Sequence, residues 1–137
     1  MTKEEMFKFI KKQNVALLSS VDGDGFPNIK AINAPRKIDG KDMYFSTNTS
    51  SMRVSQFKNN PKACLYFYRR GKISYIGVMF VGTVQVLTDQ EIKDELWHFG
   101  DTIFYKGGKT DPDYCILKFT ADKCKFYNNL RTEWIEI

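Results

Sequence analysis

The stretch that decides the fold runs Val15-Ala16-Leu17-Leu18-Ser19-Ser20-Val21-Asp22-Gly23-Asp24-Gly25-Phe26-Pro27-Asn28-Ile29-Lys30-Ala31-Ile32-Asn33-Ala34. An apolar segment from Asn14 to Val21 meets a turn whose two glycines permit the positive backbone angles of a hairpin. A second extended segment then starts near Pro27, continues through Ala34 and stops at Pro35. A further turn, Ile38-Asp39-Gly40-Lys41-Asp42, leads into the short aromatic strand Met43-Tyr44-Phe45-Ser46-Thr47. Three strands in such close succession predict an antiparallel meander.

The flanking sequence extends this pattern. Thr2 and Glu5 form a capping box, and Met6, Phe9 and Ile10 recur at helical spacing opposite Lys8, Lys11 and Lys12. A short helix is predicted over Met52–Phe57, capped by Ser50 or Ser51 and ended by Asn60-Pro61. Strands are predicted at Ala63–Tyr68 and Ile73–Leu87, with Gly82 marking a bend or a close backbone approach in the second. Thr88 to Glu91 reads as another capping box, opening a helix to Phe99 with Ile92, Leu96 and Phe99 inward. Two last strands, Tyr114–Phe119 and Cys124–Tyr127, precede a tail from Arg131 to Ile137. About seven strands with a few peripheral helices define a mainly β, α+β chain. A closed antiparallel barrel is favoured over a sandwich, and 137 residues fit a single domain.

Composition narrows the chemistry. The 21 basic and 16 acidic residues are unevenly placed, and no acid lies between Asp42 and Asp89, where Arg53, Lys58, Lys62, Arg69, Arg70 and Lys72 stand. Three cysteines without a C-x-x-C pair suggest buried free thiols rather than disulfides or zinc. The N-terminus lacks the apolar segment of a secretory signal, so a cytoplasmic location is expected. One histidine, His98, leaves no partner for a metal or nucleophile set, and Gly108-Lys109-Thr110 lacks the first glycine of a phosphate loop, whose place is taken by Ile103. Difficult chemistry would therefore need a borrowed cofactor.

The strongest candidate site is Thr47-Asn48-x-x-Ser51-Met52-Arg53. Free N–H groups at a helix start, the Ser51 hydroxyl and the Arg53 guanidinium would converge there on a phosphate dianion, with Lys30 adding charge from a neighbouring strand. A serine-capped helix carrying a solvated arginine is the competing reading.

These segments, together with Asp24-Gly25-Phe26-Pro27-Asn28 and Asn59-Asn60-Pro61-Lys62-Ala63, resemble the pyridoxamine-phosphate-oxidase-like FMN-binding split barrels, most closely their general-stress-protein branch. The resemblance covers Asn14 to about Tyr127. It implies a split barrel that binds FMN, with Lys30 at the phosphate, Ala31, Ile32 and Asn33 along the ring, Ser46 and Thr47 at the third-strand end, and Ser51, Met52 and Arg53 at the helix start. Tyr127 falls where the family often has an aromatic residue near the flavin. A homodimer with FMN in its interface is also implied; Trp134, Tyr105 and Tyr127, outside the clearest core stripes, suit such a contact. True oxidases have a polar amide near the position of Gly77 and a basic C-terminal extension, so the expected activity is general flavin-mediated electron transfer, with nitroaromatic reduction an alternative. Flavin or haem binding without turnover, with His98 the only histidine for haem, and single-stranded nucleic-acid binding are the other classes weighed.

Overall fold

A computed structural model describes residues 1–137. Helix α1 (Lys3–Lys11) begins with the expected capping box: the Thr2 hydroxyl accepts from Glu5 N at 3.2 Å, and Glu5 accepts from Thr2 N at 2.8 Å. Its buried stripe, Met6, Phe9 and Ile10, lies against the sheet. Strands β1 (Val15–Val21) and β2 (Pro27–Asn33) pair in register from Val15–Asn33 to Val21–Pro27. The Asp22 carboxylate closes their turn by accepting from Asp24 N and Phe26 N, while Gly25 takes φ 86°.

The remaining elements are β3 (Lys37–Asp39), β4 (Asp42–Asn48), α2 (Met52–Asn59), β5 (Lys62–Arg70), β6 (Tyr75–Leu87), α3 (Gln90–Leu96), β7 (Tyr114–Asn128) and β8 (Arg131–Ile135), with two single-turn 3-10 helices at Asp101–Ile103 and Gly108–Thr110. All strands join one antiparallel sheet in the order β2-β1-β5-β6-β7-β4-β3, and β8 adds to β7. The core inside this curled sheet includes Leu18, Phe45, Leu65, Phe67, Phe80 and Phe119, each at most 2% exposed.

Several expectations change. The barrel is not closed by hydrogen bonds: β2 and β3 end the sheet, and β2 lies near β4 without pairing to it. The two last strands are one continuous strand, β7, whose outer edge pairs first with β4 and then with β8. The tail is therefore a strand, and Lys37–Asp39 is another beside β4. Finally, α3 stops at Leu96, because Trp97 is extended and Asp101 accepts the His98 N–H at 2.8 Å, leaving Phe99 in solvent rather than inward. The second capping box does not form either; Asp89 is the N-cap and makes no side-chain cap bond.

Gly82 behaves as its position suggested. The β6–β7 register shifts between Val81 and Gly82, and a Cβ on Gly82 would run into the Thr120 carbonyl of β7. Gly82→Ala should therefore lower unfolding stability by about 1–3 kcal/mol through overpacking; urea melts would show it, and an unchanged midpoint would contradict this close approach.

Candidate functional site

The free edge of β2 faces the part of β4 beyond Tyr44 that β3 leaves unpaired, and the space between them is a groove. Its main lobe, about 450 Å³, is walled by Ala31, Ile32 and Asn33 of β2 and by Ser46, Thr47 and Asn48 of β4. Ile32 turns its side chain into the core and Thr47 is buried, whereas Ala31 and Asn33 are exposed. A second lobe of about 310 Å³ is lined by Asn28, Lys30, Ser51, Met52 and Gln56, and Asn48 and Arg53 line both.

Arg53 spans the opening. Its Nη1 donates to the Ala31 carbonyl of β2 at 3.2 Å and its Nη2 to Thr47 Oγ1 of β4 at 3.4 Å. No carboxylate pairs with it, and burial disfavours its charge, drawing its pKa below the ordinary arginine value. Its Nε is buried without a partner, as is the Ser51 hydroxyl at the N-cap of α2. A buried donor left unsatisfied costs about 1–3 kcal/mol, so these two atoms are poised for an acceptor. The first turn of α2 contains no acid, and its leading N–H groups carry the positive end of the helix dipole. This combination fits a phosphate group.

The far end of the main lobe was missed by sequence reasoning. Arg36, just beyond β2, lines it together with Phe104 and Tyr105 from the segment joining α3 to β7. Arg36 forms a bidentate pair with Asp101, Nη1–Oδ2 at 2.8 Å and Nη2–Oδ1 at 2.9 Å, and Nη1 also donates to the Leu96 carbonyl at 3.2 Å. Thr49 N donates to the Asp113 carbonyl at 2.7 Å and Ser50 N to the Asp113 carboxylate at 2.8 Å, tying the same segment to the end of β4. Tyr105, expected outside the core, is buried against Tyr114, with ring centroids 4.9 Å apart. Burial raises its pKa, so the hydroxyl is protonated at neutral pH. Gly100, with φ 95° directly before Asp101, was the available signal that the helix ends and a side-chain anchor follows.

Thus Lys30, Ala31, Ile32, Asn33, Ser46, Thr47, Ser51, Met52 and Arg53 gather along one groove. Tyr127 and Trp134 do not line it; they lie on the outer face of the sheet, where Trp134 is 58% exposed beside Lys125. His98 is exposed and lines neither lobe. Lys58, Lys62, Arg69, Arg70 and Lys72 are also solvent-exposed. Gly77 lies beneath the Tyr66 ring, and a Cβ there would come within 2.9 Å of Tyr66 Cζ, so a larger residue would require the ring to move.

An open antiparallel sheet with a groove at its split defines the class of this protein. The family model for pyridoxamine 5'-phosphate oxidase matches residues 2–128, and the chain belongs to that family. Among solved structures, a protein from Clostridium acetobutylicum related to general stress protein 26 of B. subtilis, of the pyridoxinephosphate oxidase family, is 36% identical. The match covers 98% of this chain and 93% of that one, with TM-score 0.85. General stress protein 26 from Bacillus anthracis str. Sterne shares the fold at 19% identity and TM-score 0.76, covering 97% and 98% of the two chains. A heme binding protein from Mycobacterium smegmatis does so at 12% identity and TM-score 0.75, covering 96% of this chain and 56% of that one. No curated protein matches the sequence. No helix is long and apolar enough to cross a membrane.

The Arg36–Asp101 pair gives a pH signature. Burial opposes ionisation of Asp101, but hydrogen bonds from Arg36 and the His98 N–H outweigh it and hold the pKa below the usual aspartate value. A depressed folded pKa contributes stability that is complete above the unfolded value, about 3.9, and is lost as pH falls through the lower folded value. Asp101→Asn should cost roughly 2–3 kcal/mol near neutrality, and this difference from the parent should shrink below about pH 4. Denaturant melts across that range provide the check; a pH-independent difference would refute the assignment.

Proposed function

We propose that the protein binds FMN in this groove and acts as a flavin-dependent oxidoreductase passing electrons to a small acceptor. The observation that carries this reading is the pair of unpartnered buried atoms, Arg53 Nε and Ser51 Oγ, beside the first turn of α2, which has no acid of its own. Membership of the pyridoxamine 5'-phosphate oxidase family supports it. FMN, when bound, supplies two-electron redox chemistry that none of the chain's own side chains offers.

The chain's residues divide the remaining work. Arg53 and Ser51 satisfy phosphate oxygens, and Lys30, exposed on the wall of the second lobe, adds charge. Because Arg53 is already fixed by Ala31 and Thr47, little of its freedom remains to be lost on binding. Asn33, Ser46 and Thr47 offer polar groups to the heteroatom edge of a ring, and Val15 and Phe104 limit water at the rim. Met52, 77% exposed, stands at the mouth of the second lobe.

The outer face of the sheet supports a homodimer. Strand register aligns Ala31, Leu17, Tyr66, Met79, Lys125 and Trp134 in one row across β2-β1-β5-β6-β7-β8. The row starts at the groove wall and carries largely apolar surface, with Val15 and Tyr68 beside it each 51% exposed. A second copy covering this face would bring Tyr127 and Trp134 into the interface.

Arg53→Ala should weaken FMN binding by at least about tenfold while leaving riboflavin, which lacks the phosphate, nearly unaffected. Equilibrium dialysis against both flavins measures this, and equal losses would remove the phosphate cradle. Tyr68→Glu should convert a sedimenting dimer to a monomer; a parent protein that sediments as a monomer would defeat the dimer.

A further inference from the structure

Two arginines face the main lobe in opposite electrostatic states. Arg53 has no acidic partner and one buried N–H without an acceptor. Arg36, at the other end, meets Asp101 through both terminal nitrogens, and the side chains are only 14% and 7% exposed. Its remaining contact, with the Leu96 carbonyl, uses a further N–H. An incoming anion at this end would have to compete with a two-point, charge-assisted pair already in place. The third charged group on the lobe, the Asp113 carboxylate, stands away from Arg36, at the end of β4, where it accepts from Ser50 N at 2.8 Å.

The other groups at this end suit a different ligand. Val15 and Phe104 offer apolar contact, with the Phe104 ring 71% exposed at the rim. Tyr105 contributes a protonated hydroxyl able to donate to a carbonyl-type oxygen. We propose that this end of the groove selects uncharged, planar, conjugated acceptors of the quinone type over phosphorylated, sulfonated or carboxylated ones, and that Asp101 sets the selectivity by neutralising Arg36. This rests on reading the Arg53 end as the flavin phosphate site. Asp101 is a positioning residue: it acts through Arg36 and need not touch the ligand. Discrimination of this kind is achieved by withholding a cation as much as by adding an attraction.

The test is binding, without turnover. Naphthoquinone and naphthoquinone sulfonate are titrated into the FMN-loaded protein, and the perturbation of flavin absorbance gives each affinity. The parent should favour the neutral probe by about tenfold or more. Asp101→Asn, which leaves Arg36 charged beside a neutral amide, should abolish or reverse that preference. Arg36→Gln, which leaves the carboxylate unopposed, should widen it; this opposite response also decides the matter if Asp101→Asn does not fold. A parent that binds the sulfonate equally or better, an unchanged preference in folded Asp101→Asn, or a lost preference in Arg36→Gln overturns the proposal. Failure to take up FMN would instead sink the flavin reading, and the same probe pair followed by tryptophan fluorescence in the unloaded protein would still decide selectivity.

Discussion

Strands β2 and β4 approach one another without a shared backbone hydrogen bond, and the Arg53 side chain makes the crossing instead. Much of the rest depends on that substitution of a side chain for a ladder. A paired seam would consume the edge carbonyls and amides on both walls, closing the barrel and removing the groove. With the seam open, each edge keeps polar groups available, and a half-buried cation is held between them. The arginine is consequently structural and ligand-seeking at once: two terminal N–H groups maintain the gap and the third nitrogen is left for something else.

The groove is polarised by what its two arginines are paired with, not by their number. Formal charge counts Arg36 and Arg53 alike, yet the first is neutralised by Asp101 and the second is not. The surrounding acid-free interval has a related logic. Most of its cations point into solvent, so the missing acids matter chiefly at the start of α2, where a carboxylate would have supplied Arg53 with an internal partner.

Local signals explain what was legible in the sequence. The Asp22–Gly25 turn, the Thr2–Glu5 box, the buried stripe of α1 and the Gly82 contact are set by neighbours in sequence or by the absence of a Cβ, and each is found. The groove walls were reached through spacing plus family resemblance. The open seam was not legible, because strand count does not report which edges pair. Strand β8 left a signal that was underused: Asn129-Leu130 makes the β7–β8 turn, Asn129 has φ 55°, and its side chain accepts from Tyr75 N at 2.9 Å. Arg36, Asp101 and Tyr105 come together across more than sixty residues through a loop lacking periodicity, beyond the reach of pattern reading.

The continuous run of β7 sets the order in which the site can exist. Ser46, Thr47 and Asn48 acquire their ladder partners only from Ile116, Cys115 and Tyr114. A nascent chain emerging from the ribosome can form the β1–β2 hairpin at once, but the opposite wall must wait for a strand some seventy residues downstream. Closing so long a loop is slow relative to hairpin formation. The groove is therefore a late product of synthesis, and until β7 arrives the edge of β4 and the aromatic face beside it are exposed surfaces that a chaperone would be able to engage.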